Sequence, residues 1–137
     1  MKLSTKGRYG LKAIYELALK VNEGMPLPIK TIAEKIGVSE LYLEQIFSVL
    51  KKSKLIKSVR GAQGGYLLAK EPSEITVGDV IRSLEGSMAP SSCVSGEDSS
   101  CMNSEACVTK IVWEKMKNSI DECMDSITLQ DMLDKNI

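Results

Sequence analysis

The sequence predicts a mainly α fold in which two short helices meet at a glycine turn, a small β-hairpin follows, and one long amphipathic helix lies near the end. Three observations predict it. Apolar residues recur at spacings of three and four over most of the 137 residues, the pattern of helices buried along one face. The exception is Leu55 to Arg60, a strand-like run separated by Gly61-Ala62-Gln63-Gly64-Gly65 from Tyr66 to Ala69. Two such runs around a glycine-rich tip read as a β-hairpin. The third observation is Gly37-Val38-Ser39 between two helical patterns, where glycine suits the left-handed end of one helix and serine the cap of the next. Together these make a winged helix-turn-helix. The expected organisation is such a domain over residues 1–86, a cysteine-containing loop over 87–104, and a dimerisation helix with a tail over 105–137.

Each element follows from local signals. Thr5 is the expected cap of a first helix in which Leu11, Ile14, Tyr15, Ala18 and Val21 turn inward, until Asn22 to Pro28 break the pattern. Pro28 opens a second helix with Ile29, Ile32, Ala33 and Ile36 inward, and Gly37 ends it. Ser39 caps a third helix with two distinct faces: Leu43, Ile46, Phe47 and Leu50 inward, and Leu41, Glu44, Gln45, Ser48 and Lys52 outward. Thr76, with Asp79 three residues on, caps a fourth helix that stops at Gly86. A long helix is expected from Ser104 or a neighbour, with Val108, Ile111, Val112, Met116, Ile120, Met124 and Ile127 as its apolar stripe. A helix pair across a two-fold axis would bury that stripe and present two recognition helices about one duplex turn apart. The competing expectation is that it folds back onto its own domain. Ile127-Thr128-Leu129-Gln130-Asp131 then repeats the capping pattern of Ile75-Thr76-Val77-Gly78-Asp79.

The net charge of zero conceals a segregation. Residues 1–70 carry 13 Lys+Arg against 5 Asp+Glu, a net of +8, and residues 71–137 carry the reverse, a net of −8. A basic half can neutralise phosphates and release counterions, and an acidic half suits a face turned away from DNA. The hydrophobic content of 43% supports a real core. No apolar stretch approaches the roughly 18 residues of a membrane span, and the opening Met1-Lys2-Leu3-Ser4-Thr5-Lys6 lacks the apolar core of a signal peptide. A cytoplasmic protein without membrane association is therefore expected. Without a histidine, a nucleophile beside a base, or the Lys-Ser/Thr ending of a phosphate loop, the sequence points away from an enzyme.

Three of the four cysteines, Cys93, Cys101 and Cys107, fall in a histidine-free segment rich in Ser and Gly just after the DNA-reading pattern. Thiolates bind zinc and iron–sulfur clusters or are oxidised, so this placement would link metal or redox state to DNA occupancy. Their spacing is not that of a zinc CxxC pair. Cys123, on the long helix, is expected to be a buried thiol packing as a small hydrophobe. Tyr66 and Trp113 are expected to be packing residues.

Leu41-Tyr42-Leu43-Glu44-Gln45-Ile46-Phe47, then Ser58-Val59-Arg60-Gly61 and Gly64-Gly65-Tyr66-Leu67-Leu68, resemble the winged-helix regulator family that includes IscR, NsrR and CymR. The likeness runs from Met1 to the Ile127-Thr128-Leu129 tail. It implies a homodimer on double-stranded DNA, with a recognition helix in the major groove and a wing in the minor groove. By this resemblance Glu44 and Gln45 face base edges and Arg60 enters the minor groove; Ser39, Ser48, Lys52 and Gln63 complete the expected DNA-binding set. Paired hydrogen bonds from Gln to adenine, acceptance by Glu from cytosine, and attraction of Arg to a narrow minor groove make these assignments physically sound. Lys30, Lys35 and Lys51 suit phosphates.

The same resemblance implies that Cys93, Cys101 and Cys107 ligate an iron–sulfur cluster of the 2Fe-2S type. Three cysteines supply three of the four protein ligands that such a cluster takes. IscR-like members place a histidine three residues after the third cysteine, where this chain has Lys110, and NsrR-like members use an acidic residue near the start of the partner chain, where this chain has Lys6-Gly7-Arg8-Tyr9. An ammonium must lose its proton before it can ligate. The nearby oxygen donors Glu97, Asp98, Ser104 and Glu105 are the candidates for the fourth position, and a weakly held cluster rather than a four-iron cubane is expected. The resulting reading is a cluster-dependent repressor of cluster-assembly genes. Its alternative is a thiol-redox, nitric-oxide or zinc-responsive regulator of the same fold.

Overall fold

Ser4, rather than Thr5, caps the first helix. A computed structural model of the chain, which describes residues 2–95 and 107–137, begins with α1 over Thr5–Leu19, and the Ser4 hydroxyl accepts from the backbone N–H of Gly7 at 3.2 Å. The Ser4 backbone N–H and hydroxyl both donate to the carboxylate of Glu85, at the far end of a later helix. That tertiary partner fixes the cap one residue earlier than the local sequence indicates.

α2 spans Ile29–Ile36 and α3 spans Glu40–Lys52, separated by Gly37 at φ 77° and by Ser39, whose hydroxyl accepts from Tyr42 N–H at 3.1 Å. Leu43, Ile46, Phe47 and Leu50 of α3 are fully buried, so the inward face read from the sequence is the inward face in the fold. The hairpin pairs β1, Ile56–Val59, with β2, Gly65–Leu68, in antiparallel register from Ile56 opposite Leu68 to Val59 opposite Gly65. Leu27 adds a short third edge, exchanging both backbone hydrogen bonds with Tyr66 at 2.9 and 3.0 Å. Gly65 is required there, because a Cβ at that position would run into the carbonyl oxygen of Leu27. Tyr66 is a packing residue as expected, with its ring 4.7 Å from that of Phe47.

α4, Val77–Glu85, carries the expected capping box of Thr76 and Asp79 and ends at Gly86, with φ 77°. It lies against α1 so closely that Gly7 and Gly10 face Glu85 and Leu84 with no room for a side chain between them. α5 spans Val108–Asp125 and α6 spans Leu129–Asp134. The long helix thus begins at Val108, with Cys107 in extended backbone as its cap residue, and Ser104 lies outside the described residues.

One apolar cluster joins the elements: Ala13, Ile14 and Leu17 of α1, Ile32 of α2, the inward face of α3, Ile56 and Leu68 of the hairpin, Val80 of α4 and Leu129 of α6. The tail therefore returns to the core of the N-terminal half. In α5 Met124, near the C-terminal end, is buried, while Val108, Ile111, Val112 and Met116 are exposed by 73, 65, 48 and 39%. Among the described residues the N-terminal half of the stripe is left uncovered. Cys123 is exposed, contrary to the buried thiol expected of it, because Met124 takes the inward position beside it. Trp113 is half-buried.

Candidate nucleic-acid interface and cysteine site

α3 sits on the core by its apolar face, and this forces the opposite face outward. All seven residues read as DNA-binding, Ser39, Glu44, Gln45, Ser48, Lys52, Arg60 and Gln63, are exposed. The Ser39 hydroxyl accepts from Tyr42 N–H through one of its two lone pairs, which leaves its O–H free to donate. Among the described residues, the side chains of Glu44, Gln45, Ser48, Lys52, Arg60 and Gln63 are engaged in no hydrogen bond or ion pair. Their polar groups can therefore take up a partner without breaking an internal contact. Arg60 and Gln63 lie in the loop between β1 and β2, whose closure by Gly64 N–H to Gly61 C=O at 3.0 Å keeps the tip narrow.

The cations divide by position. Lys51, Lys52, Lys54 and Lys57 follow α3 into the hairpin, exposed and in no ion pair among the described residues. Lys35 instead pairs with Glu16 at 2.8 Å, which ties α2 to α1. Arg82 of α4 donates to Asp125 and reaches Asp121 at 3.5 Å, and Lys117 adds a 3.0 Å contact to Asp121. Unpaired positive charge thus lines the α3–hairpin face, while the charges between α4 and α5 neutralise one another.

The cysteine segment is described at both ends. Cys93 lies in a short 3₁₀ turn, Ser92–Val94, that packs against α5, and its sulfur is 3.3 Å from the Ser91 hydroxyl. Cys107 heads α5 with its sulfur 3.0 Å from the Thr109 hydroxyl. That hydroxyl, then the backbone N–H of Lys110, and more weakly the Lys110 charge, lower the Cys107 thiol below its usual range, against a small opposing effect of burial. Both Cys93 and Cys107 are half-buried. Cys101, with Glu97, Asp98, Ser104 and Glu105, lies outside the described residues. Among the described residues no three His, Cys, Asp or Glu side chains gather as a metal site. The donors that are described fit an iron–sulfur group in kind, since Cys107 is biased toward the thiolate that such a group requires. Lys110 is half-buried, and its ammonium stands 4.0 Å from Glu114, one turn along α5. Sequence reasoning missed Thr109, although a hydroxyl two residues after a cap-position cysteine is a readable signal.

A family model described as an iron-dependent transcriptional regulator, Rrf2, matches residues 3–135. The chain belongs to the Rrf2 family. It is 44% identical over 132 residues to the HTH-type transcriptional regulator CymR of Bacillus subtilis, covering 96% of this chain and 89% of that one. It is 41% identical over 133 residues to the HTH-type transcriptional regulator IscR of Pectobacterium atrosepticum, covering 97% and 79%. Among solved structures, T. potens IscR is similar with a TM-score of 0.79 at 51% identity, covering 100% and 89%. The CymR structure described as the global cysteine regulator of B. subtilis has a TM-score of 0.81 at 41% identity, covering 100% and 99%. An Rrf2-family chain is a DNA-binding transcription regulator and not an enzyme. The mainly helical fold with an antiparallel hairpin is that of the IscR and CymR winged-helix structures. No helix of its described residues is long and apolar enough to cross a membrane.

Proposed function

We propose that this Rrf2-family regulator is a cytoplasmic homodimeric repressor of iron–sulfur cluster assembly genes whose DNA binding depends on a 2Fe-2S cluster held by Cys93, Cys101 and Cys107. The observation that carries the reading is the head of α5: Cys107 occupies the N-cap position beside the Thr109 hydroxyl, which lowers its thiol, and the turn bearing Cys93 packs on the same helix. An iron–sulfur group supplies a thiolate-bound, oxidant-sensitive centre when bound. The family description as iron-dependent and the similarity to IscR chains support this choice.

The chain's own residues provide the coupling. Drawing Cys93 and Cys107 onto a common centre fixes the N-terminal end of α5 against the turn that carries Cys93. At its other end α5 is bound to α4 through Arg82, Asp121 and Asp125, and α4 packs against both α1 and α3. A change in the tilt of α5 is therefore taken up by the elements that carry the recognition face. The exposed Val108, Ile111, Val112 and Met116 form the dimer surface, so that the same tilt sets the separation of two α3 helices on DNA. Glu44 and Gln45 meet base edges, Arg60 lies in the minor groove, and Ser39, Ser48, Lys52 and Gln63 complete the contact.

Fluorescence anisotropy on an operator duplex, anaerobic, with apo and cluster-loaded protein tests the reading. A tenfold affinity difference corresponds to about 1.4 kcal/mol between the two states, which a repositioned α5 supplies. Equal affinities at every operator would defeat the switch. The Arg60→Ala and Lys52→Ala variants should each reduce the slope of log affinity against log salt by about one counterion.

The chain is close to CymR, whose B. subtilis structure is described as a global cysteine regulator, as well as to IscR, which supports a second reading: a thiol-redox, nitric-oxide or zinc-responsive regulator with the same DNA face and no stable cluster. Iron and acid-labile sulfide content separate the two.

A further inference from the structure

One large apolar side chain on α3 has no part in folding. Leu41 is 67% exposed, whereas Leu43, Ile46, Phe47 and Leu50 of the same helix are completely buried. It stands in the first turn of α3, on the face that carries Glu44, Gln45, Ser48 and Lys52, three, four, seven and eleven residues away. Those spacings place it in line with the polar side chains. It is also isolated. Its neighbours on that face are polar or charged, so it belongs to no contiguous apolar patch of the kind that receives another protein.

We infer that Leu41 is a specificity-determining residue that reads the C5-methyl group of a thymine in the major groove. The inference rests on the proposed placement of α3 in that groove. Thymine methyl is the one apolar group that base pairs present there, and the first turn of a recognition helix is the part that reaches base edges. The unpaired cations that follow α3 into the hairpin, Lys51, Lys52, Lys54 and Lys57, are complementary to a polyanion. Leu41 and Gln45 are one helical turn apart, about 6 Å along the axis, or close to two base-pair steps of about 3.4 Å. The thymine therefore lies within about two steps of the base pair that Gln45 contacts.

The test uses a duplex selected by the wild-type dimer from a random pool, in which each thymine in turn is replaced by deoxyuridine, which removes only the methyl. Wild type should lose about 4-fold in affinity at one thymine per half-site and little elsewhere. Leu41→Ala should bind the unmodified duplex more weakly by a similar factor and be indifferent to deoxyuridine at that position. A wild-type profile with no sensitive thymine, or a sensitivity that Leu41→Ala retains, overturns the inference. Gln45→Ala is run in parallel on single adenine replacements. If it loses discrimination at an adenine while no thymine matters, the placement of α3 stands and Leu41 alone fails. If neither variant changes any base preference, both the placement and the Leu41 inference fall.

Discussion

Thr76 and Thr128 face each other across a single antiparallel bridge, and each heads a helix with its own capping box. The backbone N–H of Val77 donates to Ile127 C=O at 2.8 Å, and that of Leu129 donates to Ile75 C=O at 2.9 Å. The repeated Ile-Thr-x-x-Asp pattern is thus a pair of helix starts bound back to back. It pins the end of the long helix to the root of α4.

Thr128→Ala removes the acceptor for Asp131 N–H, now met at 3.0 Å. Loss of such a cap costs about 1 kcal/mol. Asp131→Ala removes the reciprocal 2.9 Å bond to Thr128 N–H, and the double variant should cost less than the sum because the two bonds form one unit. Urea denaturation of the three variants reads this. Strict additivity would show that the box does not act as a unit.

Gly65→Ala should lower stability by about 1–3 kcal/mol, the usual range for overpacking, because the new Cβ has backbone in its way at Leu27. Ala62→Gly, in the open tip of the same hairpin, is the control. Thermal denaturation should show a clear loss for the first and little change for the second. A Gly65→Ala protein as stable as wild type would mean that Leu27 and the hairpin are not held together as described.

Thr109→Val should raise the pH at which Cys107 reacts with iodoacetamide in the apo protein. The sign follows from the hydrogen bond: the Thr109 hydroxyl stabilises the thiolate, its removal favours the thiol, and the alkylation profile moves to higher pH. The measurement is made with Cys93, Cys101 and Cys123 replaced by serine. An unmoved profile would assign the lowered thiol to the helix terminus and Lys110 instead.

Much of the fold was legible because its determinants are local. The Gly37-Val38-Ser39 turn, the two faces of α3 and the Thr76–Asp79 box each depend on residues within one or two turns of one another. The departures have tertiary causes. Ser4 replaces Thr5 as the cap because Glu85, 81 residues away, holds it. Leu27 joins the hairpin through an approach that only Gly65 permits. Cys123 is exposed because the phase of α5 against α4 is set by Met124 and by the ion pairs of Asp121 and Asp125 with Arg82. For the DNA face, the sequence indicated the exposed polar side of α3, and the structure adds that those side chains are uncommitted. For the cysteines, spacing alone carried no geometry, and only the cap position of Cys107 and the packing of the Cys93 turn on α5 give the segment a place in the fold.

The most direct measurement is anaerobic purification followed by an absorption spectrum with iron and sulfide quantification, on wild type and on Cys101→Ala and Cys107→Ala. The account predicts visible charge-transfer bands with about two irons and two sulfides per chain, lost in both variants. A colourless wild-type protein, even after anaerobic reconstitution with iron and sulfide, would contradict it and leave an Rrf2-family DNA reader whose cysteines respond by oxidation or by binding zinc.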